Sequence, residues 1–513
     1  MKYPIGIQDF ESLREEGYVY IDKTEYIYQL ANRGRYFFLS RPRRFGKSLL
    51  TSTLEAYFLG KRELFEGLAI EKLEKDWAQY PVLHIDLNAE EYKQPEELTN
   101  RINLYIKKWE NIYGANPDEI SQSARFSGVI ERAYAKTGQK VVILIDEYDK
   151  PLLEAIGNKE LTESYRSTLD AFYSVMKSQD GLIKFGFLTG VTKFARASIF
   201  SGLNNLRDIS MDLRYAGSCG ITEVELREYF DESVATLAAK NKLTVDECYA
   251  KLAQMYDGYH FHQDADGVYN PFSLLNAFES GEFGSYWFES GTPAFLTKVI
   301  QNTDYDLANM PHEDVTSEMI GDIENISRTP IPVLYQSGYL TIKSYDSEFE
   351  QYRLGFPNKE VEQGFVKYLL PTYLPVNDDM GQSYIKNFVK EVRGGQTEEF
   401  LSRLQTMLAD SDYQIMGKME IYFQNVMFVV FRMMGFYTQV ERHTARGRID
   451  LLIQTADYVY LIEIKRDGSV DEALKQIDER EYFAPFAHDP RTLIKIGVNF
   501  STETRTIAEW KIA

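Results

Sequence analysis

The segment RPRRFGKS, Arg41 to Ser48, holds residue types suited to binding phosphate. It follows an apolar run, RYFFLS from Arg35 to Ser40, and opens SLLTSTLEAYFLG, which reads as a helix closed by Gly60. Backbone N–H groups at Arg44, Phe45 and Gly46, together with the helix N-terminus, would cradle phosphate oxygens. Lys47 would reach the outer oxygens, and the Ser48 hydroxyl would ligate Mg²⁺. The loop departs from GxxxxGK[ST], because Arg41 stands where the first glycine belongs. Farther along, VVILIDE ends an apolar strand with Asp146, suited to the Mg²⁺ water shell, and Glu147, suited to polarising an attacking water. The same two acids could simply be an N-capping pair after a core strand. Strand context at both places favours the nucleotide reading.

A polar residue on the next strand should sense the γ-phosphate, and Thr189 or Thr192 in FLTGVTKF fits. Lys193 or Arg196 could serve as a charge finger, although each reads more readily as a solvated surface cation.

A second constellation lies near the C-terminus. GRID (Gly447 to Asp450) starts one strand and IEIK (Ile462 to Lys465) lies on the next. Strand alternation sends Glu463 and Lys465 to one face, where Asp450 can meet them across a hairpin. Two carboxylates and a lysine suit a hard cation, with Mg²⁺ or Mn²⁺ on Asp450 and Glu463 and the lysine positioning or deprotonating water. Glu420, in an upstream helix, is a further candidate ligand, and Gln476 in EALKQI a supporting group. The plain alternative is a cross-strand ion pair on a solvated face.

These residues need elements to position them. Four strands, Arg35–Ser40, Tyr80–Leu87, Lys140–Asp146 and Ile183–Gly190, alternate with helices, which implies a parallel sheet covered on both faces. From about Glu223 to Phe400 the pattern turns mainly helical, and a third regime ends in the strand pair RIDLLIQ and YVYLIEIK. The 513 residues exceed one ordinary core. Hydrophobic residues at 44% and charged residues at 26% place the chain among folded globular proteins. Two cysteines exclude a disulfide framework. With 57 basic against 77 acidic residues the net charge is -20, which excludes a generally basic surface but not a local groove. No apolar run is long enough to span a bilayer, and Asp9 and Glu11 interrupt any secretory signal, so a cytoplasmic protein is expected.

Through PIGIQDF, YIDKTEYI, RPRRFGKS, IDEYDKPL, GVTKF and SIFSGLNNLRDIS, the first part resembles the AAA-ATPase-like family. The last part resembles the PD-(D/E)XK nuclease superfamily through GRIDLLI, IEIK and KQIDEREY. The resemblance implies ATP and Mg²⁺ at Lys47, Ser48, Asp146 and Glu147, and a nuclease fold carrying Asp450, Glu463 and Lys465. The expected architecture is α/β: a P-loop parallel-sheet domain with its helical extension over 1–275, a mainly helical, winged-helix-like coupling region over 276–395, and a restriction-endonuclease-like domain over 396–513. The expected function is an ATPase with a metal-dependent nuclease acting on nucleic acid, DNA ahead of RNA, with oligomerisation open. Its rivals are a nucleotide-switched nucleic-acid or protein binding module, and a nucleic-acid translocating ATPase.

Overall fold

The computed structural model describes all residues except 89–90, 194–204, 291–298, 301–304, 306, 308–309, 311–313, 322, 324–328, 374–377, 410–418, 436–438, 442–448 and 505. At 289, 370, 372–373, 378–383, 419–424 and 439–441 it describes the backbone only. The chain forms two compact units, Met1–Val299 with Pro311–Glu362, and Ile300–Met310 with Gln363–Ala513.

The first unit is built on five parallel strands, β1 (Tyr36–Ser40), β2 (Val82–Asp86), β3 (Val141–Asp146), β4 (Ile183–Gly190) and β5 (Arg207–Asp208), in the order β2-β3-β4-β1-β5. Every residue of β3 is buried, because helices cover both faces and no position can be polar for solvent's sake. Helices Pro95–Tyr113, Gln122–Thr137 and Lys159–Ser178 supply Ile102, Phe126 and Phe172 to the core that also buries Ile143 and Ile145. Register sets Ser40 beside Gly190 and Asp86 beside Asp146, so the C-terminal ends of β1, β3 and β4 form one edge. Chemistry in open parallel sheets gathers at that edge. The two-residue β5 is too short to leave a periodic signal, and the sequence reading lacks it.

Helices Glu223–Lys240, Val245–Tyr256 and Pro271–Ser280 enclose a smaller core around Leu226, Phe230, Tyr256 and Phe278. The N-terminal residues Tyr3, Ile5, Val19 and Ile21 pack against it. The stretch expected to be mainly helical also carries a three-stranded antiparallel sheet of β6 (Asp314–Thr316), β7 (Thr341–Asp346) and β8 (Gln351–Gly355). Helices Ser317–Gly321 and Ile331–Gln336 lie between β6 and β7 in the chain, and the first strand pairs with the last. This order of strand, two helices and hairpin is winged-helix-like.

The second unit holds a mixed sheet, β9 (Gln439–Glu441), β10 (Leu451–Gln454), β11 (Tyr458–Arg466), β12 (Thr492–Ser501) and β13 (Thr506–Ile512), in the order β13-β12-β11-β10-β9. β10 and β11 pair antiparallel, while β11 and β12 run parallel around the helix Val470–Glu479. That helix lies close to β12: a Cβ at Gly497 would sit 2.4 Å from the Val470 carbonyl. Among the described residues, no helix is long and apolar enough to cross a membrane.

Candidate functional site

β1 ends at Ser40, and the loop after it enters the helix Lys47–Phe58. Arg44 and Gly46 have φ of 68° and 93°. A Cβ at Gly46 would meet nothing within 4 Å, so the left-handed backbone, not space, calls for glycine there. Lys47 is 3% exposed, with Nζ donating to the Pro42 carbonyl at 3.2 Å and lying 3.7 Å from Glu147 Oε1. Phe45 is buried, with its ring edge-on to Tyr259, which anchors the loop.

β3 delivers Asp146, whose Oδ1 accepts from the Glu147 amide at 3.1 Å and from the Thr189 hydroxyl. Glu147 has a φ of 53°, a conformation costing a non-glycine residue on the order of 1 kcal/mol. A cavity of about 450 Å³ runs over this edge. Its polar part is walled by Arg43 to Ser48, Glu147 and Lys150, and its apolar part by Pro4, Ile5, Ile7, Val19, Phe272 and Leu275.

In the second unit the ladder pairs Leu451 with Ile462, and the same register sets Asp450 opposite Glu463. Asp450 Oδ2 accepts from the Ile464 amide at 2.8 Å. Glu463 is 2% exposed, and its Oε1 accepts from Lys465 Nζ at 3.1 Å and from the Gln476 amide. Lys465 also donates to Gln476 Oε1, so the glutamine bridges acid and base. Glu463 Oε2 is buried with no hydrogen-bond partner. Burial and the neighbouring Asp450 push the Glu463 carboxyl up, against the pull of Lys465. Glu420 lies on the helix Met419–Gly435, and its side chain is outside the described residues.

Family models describe residues 4–200 as a predicted AAA-ATPase and 418–510 as a PD-(D/E)XK nuclease superfamily domain. An uncharacterized protein in the vnfD 5' region of Azotobacter chroococcum mcd 1 is 34% identical over 518 residues, covering 99% of this chain and 98% of that one. The chain belongs to the AAA-ATPase-like family and carries a PD-(D/E)XK domain. A solved structure of the Aeropyrum pernix ORC2 protein, in ADPNP–ADP complexes, is 11% identical with a TM-score of 0.26, covering 66% of this chain and 90% of that one.

Several residues of this AAA-ATPase-like chain take places that differ from the sequence expectation. Thr189 and Thr192 are fully buried with their hydroxyls on carboxylates: Thr189 donates to Asp146, and Thr192 to Asp149 Oδ2 at 2.5 Å. Each hydroxyl has one proton to donate, and in this arrangement both protons go to carboxylates. Lys193 Nζ sits 2.5 Å from Asp208, which accounts for the charge offered as a finger. Arg196 lies outside the described residues. Arg41 turns away from the phosphate loop, donating to the carbonyls of Ser40, Ser210 and Tyr215 at 2.9, 2.7 and 3.1 Å and stacking 3.9 Å above Phe261. It can replace a loop glycine because its side chain ties the end of β1 to the segment after β5.

Sequence reasoning passed over Asp149. It is fully buried, and it accepts from the Val191 amide at 3.1 Å and the Thr192 amide at 2.6 Å. Burial, then the neighbouring Glu147, push its carboxyl up to about 6. A Cβ on Gly190 would approach Asp149 Oδ1 to 2.3 Å, so glycine at the end of β4 lets this acid close on the strand. The signal was present in IDEYDKPL, three residues past Asp146. Trp287 was likewise missed: its Nε1 donates to the Arg43 carbonyl at 3.0 Å, and its amide donates to Glu360 Oε1 at 2.8 Å.

Proposed function

We propose that the chain hydrolyses ATP at the first site and cleaves nucleic-acid phosphodiesters, DNA ahead of RNA, at the second, with ATP controlling the cutting activity. The observation that carries this reading is a buried Lys47 beside a partly exposed Glu147 over a cavity of about 450 Å³, together with a separate Asp450, Glu463, Lys465 and Gln476 cluster.

In the first site the N–H groups from Arg44 to Ser48 and the Lys47 ammonium hold phosphate oxygens, and the apolar wall from Pro4 to Ile7 and Phe272 receives the base. Ser48 and Asp146 would hold a Mg²⁺ ion, which would offset charge on the β- and γ-phosphates. Glu147 accepts the proton of the attacking water. The 3.7 Å between Lys47 Nζ and Glu147 Oε1 supports that role.

In the second site Asp450 and Glu463 fit a divalent cation, since a buried carboxylate oxygen without a partner calls for positive charge. Such an ion would polarise a phosphoryl oxygen. Lys465, steered by Gln476, stands where it can orient or deprotonate the attacking water. The test is incubation of the full chain with mixed DNA and RNA, with and without ATP and Mg²⁺ or Mn²⁺. Metal-dependent cleavage that Lys465→Ala removes supports the reading. Nucleotide-dependent binding of nucleic acid without cleavage under any condition rejects the nuclease half and leaves a switched binding protein.

A further inference from the structure

The hydroxyls of Thr189, on β4, and Thr192, just after it, donate to Asp146 and Asp149. Another hydroxyl-bearing residue, from the winged-helix-like segment, lines the same cavity. Ser337 follows the helix Ile331–Gln336 and lines the cavity together with Lys47, Glu147 and Val191. It is 4% exposed, and its Oγ is buried with no hydrogen-bond partner. A buried hydroxyl without a partner is destabilising, and a ligand acceptor beside it would satisfy it.

Its neighbours fix Ser337 at the phosphate end. Gly338 packs so tightly that a Cβ there would lie 2.7 Å from the Pro42 side chain, and the Pro42 carbonyl is the acceptor for Lys47 Nζ. Tyr339 packs 5.4 Å, centroid to centroid, from Trp287, whose indole N–H holds the Arg43 carbonyl. On its other side Gln336 accepts from the Lys193 amide at 2.7 Å and donates to the Ile320 carbonyl at 2.6 Å. Phosphate loop, the residues after β4 and winged segment thus meet around one unsatisfied hydroxyl.

We propose that Ser337 donates its hydroxyl proton in a hydrogen bond to the terminal phosphate of bound ATP, making the winged segment the part of the chain that distinguishes ATP from ADP. The proposal rests on the first site being a nucleotide site. ADP lacks the acceptor, so its loss on hydrolysis leaves Ser337 unpartnered again and releases one tie between the phosphate end and the segment carrying β7 and β8.

The test is titration calorimetry of the full chain with ADP and with a non-hydrolysable ATP analogue in Mg²⁺, on wild type, Ser337→Ala and Ser337→Thr. Ser337→Ala should lower the preference for the ATP analogue over ADP by about tenfold, the worth of one hydrogen bond to a charged group, with ADP affinity unchanged. Ser337→Thr, which keeps the hydroxyl, should retain more of that preference. Without nucleotide, the melting temperature of Ser337→Ala should equal or exceed that of wild type, because no bond is lost. A lower melting temperature in nucleotide-free Ser337→Ala would show a structural role instead and overturn the proposal. Full retention of the preference by Ser337→Ala would also overturn it while leaving nucleotide binding intact. Failure of wild type to bind either nucleotide would reject the nucleotide site itself, and the proposal with it.

Discussion

The two candidate sites use the same residue types in opposite ways. At the first, Lys47 sits 3.7 Å from Glu147 with a backbone carbonyl as its other partner, over a cavity large enough for a nucleotide. At the second, Lys465 is bonded to Glu463 and Gln476, and the acids are grouped on one sheet face. The first is assembled from residues as far apart as Pro4, Lys47, Glu147, Phe272 and Ser337. Among the described side chains, those of the second fall between Asp450 and Gln476. A large ligand must be enclosed by many elements, whereas a metal ion and one phosphodiester need only a few side chains on a rigid strand pair.

If that contrast holds, each lysine should fail in its own way. The largest effect is expected from Lys465→Ala, which removes the group proposed to orient or deprotonate the attacking water and leaves Glu463 buried beside Asp450 without its cation. Metal-dependent cleavage should drop by about 10⁴-fold, the upper end for an acid–base group. ATP affinity should be unchanged. A cleavage assay run beside nucleotide titration checks both, and a parallel loss of ATP binding would break the separation of the sites. Next, Glu147→Gln should slow phosphate release by about 10²–10³-fold while keeping ATP bound, since the amide preserves shape but cannot take a proton. Unaltered steady-state hydrolysis would move the base elsewhere, with the buried Asp149, whose carboxyl is pushed up to about 6, the next acid to substitute. Lys47→Ala should weaken ATP by roughly 10–100-fold, consistent with the loss of charge-assisted bonds to phosphate. Titration with equal affinity in mutant and wild type would refute the phosphate loop.

The same contrast explains what could be read from the sequence. Asp450, Glu463, Lys465 and Gln476 fall within a hairpin and the helix after it, where a period of two and a turn signal suffice to bring the side chains together. At the first site only the pieces on β1 and β3 carried a local signature. Part of the cavity's apolar wall belongs to PIGIQDF, a stretch that carries the family resemblance but whose place at the cavity depends on packing against helices more than two hundred positions away. The hydroxyl of Thr189 was legible as a polar group at a strand end, but not its partner, because choosing between phosphate and Asp146 depends on strand register. The helix preceding the second site could be placed, whereas the role of Glu420 falls on a side chain outside the described residues.

The smallest expected effect lies beneath the first site, and it tests whether that region tolerates charge. His84 on β2 contacts Glu55 on the helix Lys47–Phe58, with Nδ1 and Oε2 2.7 Å apart. Burial works to lower the His84 pKa, but the hydrogen bond and charge of Glu55, with Asp146 and Asp86 nearby, outweigh it and leave it above the ordinary 6.5. The folded state therefore holds the proton more tightly than the unfolded chain. The stabilisation is complete below the unfolded pKa and is lost as pH rises through the higher folded value. Both side chains are partly exposed, so solvent screening keeps the pair's worth within about 1 kcal/mol. Glu55→Gln should thus melt lower than wild type in mildly acidic buffer, and the gap should close as pH is raised above the folded pKa. A gap that stays constant or widens with pH would show that Glu55 acts through packing or a different partner, and that this side of the sheet does not depend on a protonated histidine.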